Sequence, residues 1–347
     1  MFYDRFTDAV ETYYGPDDTT ATFQTTMCWK LIISDILMPV GCVNLDSMAG
    51  TREWAVTRTP QVAQLTGVES ADGAAYATGR EGVLLERTGP EQWTAVFTTG
   101  PTGDGRSVFD ASTTDHGERV WFCGENGTLG YYDTQVGAVR THIAPYDLHS
   151  TFRSVSTTGP AGEETVHAAD DNGEILRGVV DGDELTVRGV SIPGDGTAFA
   201  EVVDNDRELF AADVGGTFYH TTDGRSWKRR KLSCTPVRAV SFNDENAYEV
   251  AEDGTVYEEV SLFGEGSRNP RSIDSGVEYP TEVDTNHGHT IVVVGDGGQL
   301  RISEAGGNFQ AEELGIDTAL HGAEVMDGGA VIAVGDDGTI VEGIPAN

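Results

Sequence analysis

The sequence IVVVGDGGQL at residues 291–300 and the sequence VIAVGDDGTI at residues 331–340 share one pattern. Each has a short apolar run, then an acidic turn that contains glycine, then the start of a second strand. Five further copies occupy residues 75–83, 120–129, 167–175, 209–218 and 248–256. The glycine that ends each turn supplies the positive φ that a tight hairpin requires. The pattern therefore predicts seven β-hairpins, with the turn glycines Gly82, Gly127, Gly173, Gly216, Gly254, Gly298 and Gly338.

The spacing of these hairpins predicts the architecture. Successive turn glycines lie 38 to 46 residues apart, which is the period of the four-stranded blades of a β-propeller. The continuous apolar runs at residues 290–294 and 330–334 predict central strands that are buried on both faces. Glycine makes up 44 of the 347 residues, nearly twice the usual share of about 7%. We predict an all-β fold, a seven-bladed propeller of four-stranded blades that covers residues 51–347.

The two ends of the repeat region predict how the ring closes. The last repeat ends shortly after its third strand, at residues 339–342. Near the start of the repeats, residues 53–57 (EWAVT) resemble the fourth-strand sequences at residues 92–96 and 226–230. We therefore predict that residues 52–58 form the outer strand of the seventh blade, which leaves no unpaired break in the ring.

A second turn follows the hairpin of the fourth repeat, in the sequence TTDGRSW at residues 221–227. An aspartate in such a turn accepts hydrogen bonds from backbone amides. We assign structural roles to Thr221, Asp223, Gly224 and Trp227, with Trp227 packing behind the turn. Weaker copies stand at residues 87–93 and 303–309.

This turn resembles the Asp-box of BNR-repeat propellers. The order of hairpin and then Asp-box is similar to the photosystem-assembly-factor type of that family. The resemblance covers about residues 51–344 and implies a propeller fold. It also implies that the turn is a structural element that lies away from the binding face.

The chain is strongly acidic, with 57 aspartates and glutamates against 22 lysines and arginines and a net charge of −35. Binding of nucleic acid or anionic lipid through a basic face is therefore excluded, because both need clustered positive charge. Lysine occurs only at Lys30, Lys228 and Lys231. This composition is typical of proteins from a strongly saline cytoplasm, where molar salt shortens the Debye length to roughly 3 Å. We interpret the chain as halophilic, and an ordinary acidic protein is the alternative.

Residues 1–50 lie outside the repeat and form a predicted N-terminal arm. The helical spacing of its first aromatic and apolar residues predicts an amphipathic helix that ends at residue 15. Residues 27–43 are apolar but too short and too interrupted by polar residues and proline to span a bilayer. The acidic stretch before them is opposite to the basic start of a signal peptide, so we do not expect export by that route.

The arm carries the apolar side chains that we predict to be an assembly anchor. They are Phe2, Phe6, Val10, Tyr13, Trp29, Leu31, Ile32, Ile33, Ile36 and Leu37. An apolar segment of this kind would be adhesive if it were free in solution. We expect it to pack on partner subunits of an assembly, and packing on its own propeller is the alternative.

No catalytic residue, metal site or cofactor is predicted. His287 and His289 form the densest histidine cluster, but no third metal ligand can be identified. Residues 170–174 look like a calcium loop, yet they lack the EF-hand spacing and coincide with a repeat turn. The four cysteines show no regular pairing and are expected to be free thiols, with Cys123 in the core. The basic run at residues 228–231 is expected to be a solvated outer strand, with docking to an acidic partner as the alternative.

Three functions of different classes fit these features. The first is a non-catalytic component of a large assembly, such as a surface spike or attachment protein of a virus of halophilic archaea. Such a protein would bind other subunits through residues 1–50 and a host surface protein or glycan through the propeller. The second is a scaffold or assembly factor in the cytoplasm of a halophilic archaeon. The third is a sialidase-like enzyme, whose candidate residues Arg106, Arg153, Arg238, Arg301 and Tyr219 have no ordering in their spacing.

Overall fold

The computed structural model describes residues 26–33, 36–44, 52–59, 64–71, 74–205, 207–231, 236–243, 246–259, 270–285, 290–304, 307–326 and 328–346. The chain divides into two compact units, Met1–Thr51 and Arg52–Asn347. In the first unit, β1 (Thr26–Ile33) pairs antiparallel with β2 (Ile36–Asn44). The anchor residues from Trp29 to Leu37 lie on these two strands. The predicted helix with Phe2, Phe6, Val10 and Tyr13 lies outside the described residues.

The second unit contains seven antiparallel four-stranded sheets, which we number as blades in chain order. It begins with β3 (Arg52–Arg58). Strands are given from the inner to the outer one. Blade 1 consists of β4 (Leu65–Ala71), β5 (Ala74–Gly79), β6 (Val83–Gly89) and β7 (Gln92–Phe97), and blade 2 of β8 (Val108–Thr113), β9 (Arg119–Gly124), β10 (Thr128–Asp133) and β11 (Ala138–Thr141). Blade 3 consists of β12 (Phe152–Thr158), β13 (Thr165–Asp170), β14 (Ile175–Asp181) and β15 (Glu184–Ser191).

Blades 4 to 6 follow the same order. Blade 4 consists of β16 (Phe199–Asp204), β17 (Leu209–Asp213), β18 (Thr217–Thr221) and β19 (Lys228–Lys231). Blade 5 consists of β20 (Val237–Asn243), β21 (Asn246–Ala251), β22 (Thr255–Glu259) and β23 (Arg271–Asp274). Blade 6 consists of β24 (Pro280–Thr285), β25 (Ile291–Gly295), β26 (Leu300–Ser303) and β27 (Gln310–Ala311).

Blade 7 joins the two ends of the unit. It consists of β28 (Leu320–Val325), β29 (Val331–Gly335), β30 (Thr339–Pro345) and, on the outside, β3. The antiparallel register runs from Arg52 opposite Pro345 to Arg58 opposite Thr339. The seven-bladed all-β propeller predicted from the repeat is confirmed.

Helical structure in the described residues is limited to three short 3₁₀ turns. They are Glu125–Gly127, Pro145–Asp147 and Asp296–Gly298. Within this part of the chain, no helix has the length and apolar content that crossing a membrane requires.

The hairpin turns between second and third strands have the backbone conformation that the sequence pattern requires. All seven predicted turn glycines have positive φ, from 62° at Gly338 to 83° at Gly254. At Gly82 the approach of the next segment adds a second requirement, because a Cβ would overlap the backbone of Gly100. Each blade needs a residue with positive φ at this turn, and the recurrence of glycine there made the repeat period visible in the sequence.

The core lies between neighbouring blades, since each second strand is covered on both faces. All five residues of Ile291–Gly295 and all five of Val331–Gly335 are buried. Cys123 is also fully buried and is a free thiol. Burial on both faces explains why these strands are continuous apolar runs rather than alternating ones.

Buried glutamates link adjacent blades. Glu342 of blade 7 is 2.7 Å from Arg87 of blade 1, and its side chain is 3% exposed. Glu164 of blade 3 is fully buried and lies 2.8 Å from Arg119 of blade 2. A third such pair joins blades 4 and 5, where Arg230 contacts the buried Glu259 at 3.0 Å. Each ion pair crosses a boundary between blades, so each holds two separate sheets together.

Candidate functional site in the central channel

The turn at residues 221–227 is held by the hydrogen bonds expected of an aspartate turn. Oδ1 of Asp223 accepts from the backbone N–H of Arg225 at 2.8 Å and of Ser226 at 2.7 Å. It also accepts from the hydroxyl of Thr221 at 3.0 Å. These donors hold the pKa of the Asp223 carboxyl well below its usual range. Gly224 has a φ of 67°, which the turn requires.

Trp227 packs against a core cluster between blades 3 and 4, as part of the apolar layer behind this turn. The weaker copies are built differently. Trp93, in the copy at residues 87–93, donates its Nε1–H to Glu342 at 2.9 Å. Ser303, in the copy at residues 303–309, donates its hydroxyl to the carbonyl of Gly307 at 2.8 Å. The aspartate is thus a feature of the fourth blade, and the other two copies use other contacts.

The residues considered for a sialidase-like site have separate partners. Tyr219 is 4% exposed and donates its hydroxyl to Asp213 at 2.9 Å. Burial, and then this hydrogen bond, raises the pKa of Tyr219 to about 12. The arginines also differ in their contacts: Arg106 pairs with Asp104, Arg153 lies over the ring of Phe109, Arg238 pairs with Glu252, and Arg301 donates to the carbonyl of Gly276.

The first strands of the seven blades surround a central channel with a cavity of about 260 Å³. Six carboxylates line it: Glu69, Asp110, Glu201, Glu282, Asp284 and Glu324. Among the described lining residues, Arg153 is the one cation, and its guanidinium lies 4.9 Å from the centre of the Phe109 ring. The channel is therefore a concentration of acidic side chains inside an already acidic protein.

Backbone register explains why the channel residues are polar. Every inner strand has a β-bulge near its start, and all six carboxylates occupy the third or the fifth position of their strand. An inner strand also has an edge with no neighbouring strand of its own sheet, so its N–H groups need other acceptors.

Side chains of the preceding blade supply these acceptors. At the third position, Asp110 accepts from the N–H of Val155 at 2.8 Å. At the fifth position, Asp284 accepts from the N–H of Val325 at 2.8 Å. Serines perform the same role between blades 2, 3 and 4: Ser112 bonds Thr157, Ser154 bonds Val202, and Ser156 bonds Asp204. Asp and Ser at these positions therefore join neighbouring inner strands.

Five of the six channel carboxyls have raised pKa values. Burial raises the pKa of Asp110 to about 6, although the N–H of Val155 opposes the shift. Burial likewise raises the pKa of Asp284 to about 6, against the hydrogen bond from Val325. The pKa of Glu69 is raised by burial and then by Glu324. Desolvation disfavours the charged form, and nearby carboxylates add repulsion.

Glu201 and Glu282 follow the same rule. Burial raises both pKa values well above the usual range, and the charge of Asp110 adds to the effect at Glu201. With pKa values of about 6, the carboxyls of Asp110 and Asp284 can therefore take up protons at mildly acidic pH. In the described residues, no group of three or more His, Cys, Asp and Glu side chains has metal-binding geometry. His287 and His289 lie outside the described residues.

Sequence reasoning missed the channel because its residues form no repeated motif. The same position holds aspartate, serine, glutamate, glycine or alanine in different blades. The aspartates and serines that join inner strands bond an N–H group more than 40 residues away in the next blade, as Asp110 bonds Val155. A polar residue at the third or fifth position of each first strand was the available signal.

Comparisons with known proteins support the fold. No protein-family model matches the chain, and no curated protein sequence matches it. The WD40 β-propeller domain of Doa1 superposes with a TM-score of 0.66 at 15% identity, covering 86% of this chain and 98% of that chain. YCF48 from Cyanidioschyzon merolae gives 0.67 at 15% identity, covering 85% and 99%. The chain is a β-propeller, and at these identities the likeness shows the fold alone.

Two further neighbours differ in what they bind. A structure of YCF48 bound to D1 peptide has a TM-score of 0.64 at 12% identity, covering 84% of this chain and 95% of that chain. Virginiamycin B lyase from Staphylococcus aureus, in a catalytically inactive form with quinupristin, gives 0.68 at 13% identity, covering 84% and 99%. The same fold therefore includes a protein that binds a peptide and an enzyme.

Proposed function

We propose that this protein is a non-catalytic interaction propeller that residues 1–50 attach to a large assembly. The observation that carries the proposal is that all seven blades, including the ring-closing strand, belong to the unit Arg52–Asn347. The described strands before Arg52, Thr26–Ile33 and Ile36–Asn44, pair with each other and belong to none of the seven blades. We therefore assign the apolar residues of this segment to an interface with other subunits, since apolar patches of several hundred Å² usually mark interfaces.

The assembly that we propose is the particle of a virus that infects halophilic archaea, with the propeller displayed on its surface. The acidic composition, with three lysines in 347 residues, supports a saline environment. A non-catalytic role is supported by the separate partners of the arginines and Tyr219. A cytoplasmic scaffold is the second candidate, and the propeller of YCF48, which has been solved with a bound peptide, favours it.

Deletion of residues 1–51 tests the anchor. The shortened protein should keep the circular dichroism and the melting transition of a folded propeller but should no longer co-purify with the particles. Ile32→Asp and Ile36→Asp in the full chain should reduce incorporation, whereas Thr20→Asp, in the polar part of the arm, should not. Full incorporation of the shortened protein would place the anchor elsewhere. Recovery of the full chain only from the soluble cytoplasmic fraction would favour the scaffold instead.

A further inference from the structure

A second cavity, of about 520 Å³, lies between blades 3 and 4. On one side it is lined by residues of β14 and β15, and on the other by the turns that follow β16 and β18. Its volume lies within the range of small-molecule sites. Four arginines line this groove: Arg177, Arg188, Arg207 and Arg225. Within the described part of the chain, none of the four guanidinium groups has a hydrogen bond or an ion pair.

The acidic residues of the groove are engaged by other groups. Asp204 lies 3.0 Å from Nδ1 of the buried His167. Glu208 lies 3.2 Å from Nε2 of His220. Asp223 accepts the turn hydrogen bonds described above. Asp204 and Glu208 therefore lie beside histidines and Asp223 accepts from backbone amides, while none of these carboxylates pairs with the four guanidinium groups.

The local backbone brings two of the arginines to the same groove. Arg177 on β14 is opposite Gly189 on β15, and the register shifts by one residue immediately after it. Arg188 is the extra residue of this β-bulge. In a regular strand it would point to the opposite face from Gly189, but a bulge redirects a side chain. Both arginines line the groove, and Gly189 leaves open space beside them.

Positive charge is concentrated in this part of the chain. Residues 177–231 hold eight of the 22 lysines and arginines but only ten of the 57 acidic residues. This segment is therefore close to neutral in a protein whose net charge is −35. A small anion can approach it with less repulsion than elsewhere, while a long polyanion would meet the acidic remainder of the surface.

We propose that the groove between blades 3 and 4 binds an acidic saccharide, a short chain of sugars that carry carboxylate or sulfate groups. Guanidinium groups donate paired hydrogen bonds to such anions. The hydroxyls of Ser191 and Thr222 on the lining match the hydroxyls of a sugar. A peptide is disfavoured because two of the three apolar lining residues, Ile175 and Leu209, are 2% and 7% exposed, which leaves Val190 as the one partly exposed apolar contact for an anchor side chain. This proposal rests on the proposed display role for its biological setting alone, and it adds the class of ligand that the displayed propeller would bind.

Calorimetric titration of the full chain tests the groove. The probes are a sulfated heparin-derived tetrasaccharide and tri-galacturonate, with maltotriose as the neutral control and hexaglutamate as the peptide control. We expect the acidic saccharides to bind and both controls to fail. Arg177→Ala combined with Arg188→Ala should weaken binding at least about tenfold. Gly189→Phe should also abolish binding by filling the groove, since no atom lies within 4 Å of the position of its Cβ.

A matched variant controls for net charge. Arg58→Ala combined with Arg301→Ala removes the same two positive charges at residues outside the groove and should leave affinity unchanged. Melting curves establish that each variant is folded. Equal affinity of the wild type and the Arg177/Arg188 variant would overturn the proposal, as would equal binding of maltotriose, or binding of hexaglutamate without the saccharides. The anchor deletion is scored by particle incorporation, so either proposal can fail while the other stands.

Discussion

The contact between blades 7 and 1 allows a sharp test of how the ring is held. Glu342 has a side chain that is 3% exposed, and Arg87 is 15% exposed. Oε2 of Glu342 accepts from Nε and Nη2 of Arg87, at 3.0 and 2.7 Å. Oε1 accepts from the N–H of Glu91 at 3.1 Å and from Nε1 of Trp93 at 2.9 Å. One buried carboxylate therefore has four donors, all from the neighbouring blade.

Arg87→Met removes two of these donors and the counter-charge while keeping most of the side-chain volume. Breaking a buried ion pair in this way costs about 3–5 kcal/mol, because a charge is left without compensation. At about 2 °C per kcal/mol for a unit of this size, the melting temperature should fall by about 6–10 °C. Arg140→Met is the matched control. Its partner Asp183 is 3.4 Å away and both side chains are 59% exposed, so less than about 1 kcal/mol is expected.

Urea and thermal unfolding at molar salt, followed by near-ultraviolet circular dichroism, measure both variants. Adding Glu342→Gln to Arg87→Met should recover part of the loss, since the amide oxygen can still accept from Trp93 without carrying a charge. If Arg87→Met costs no more than Arg140→Met, the ion pair does not hold the two blades. If Glu342→Gln gives no recovery, the loss comes from packing of the arginine stem.

Three further predictions concern ring closure, pH and salt. Gly343→Ala should destabilise by about 1–3 kcal/mol in urea unfolding, because its Cβ would overlap the indole of Trp54 on the closing strand, whereas Gly189→Ala has open space and should be neutral. Asp284→Asn should stabilise the protein at pH 8 by on the order of 1 kcal/mol and lose this gain by pH 4. The pKa of Asp284 in the folded state, about 6, lies above its value in the unfolded chain. Between these two pKa values the folded state binds more protons than the unfolded state, so the stability of the wild type falls as the pH rises through this range. Lowering NaCl from molar to about 0.1 M lengthens the Debye length to roughly 10 Å and should lower the melting temperature, and an unchanged melt would refute the halophilic interpretation.

The sequence was informative where one backbone requirement recurs in every blade. The positive φ of turn residues such as Gly127 and Gly298 leaves few alternatives to glycine, so the same residue type returned at a readable period. The second strands were readable because burial on both faces demands apolar residues throughout. The blade number and the fold class followed from these two constraints.

The channel and the groove between blades 3 and 4 were not readable because their residues meet only in the folded ring. Asp110 acts on an N–H of the following blade, and serine fills the same role elsewhere, so no single residue type repeats. The groove takes Arg177 and Arg225 from different blades, 48 residues apart. The bulge that redirects Arg188 depends on pairing that periodicity does not reveal.

Ring closure also determines how the propeller should unfold. In a linear repeat protein each unit contacts only its neighbours, and a terminal unit can separate first. Here the closing strand gives blade 7 a strand from each end of the unit, and inner side chains such as Asp284 bond the N–H groups of the next blade. No blade in such a ring is terminal. Weakening one boundary, as in Arg87→Met, should therefore lower the temperature of one cooperative transition, and a separate early transition for blade 1 or blade 7 would contradict this account.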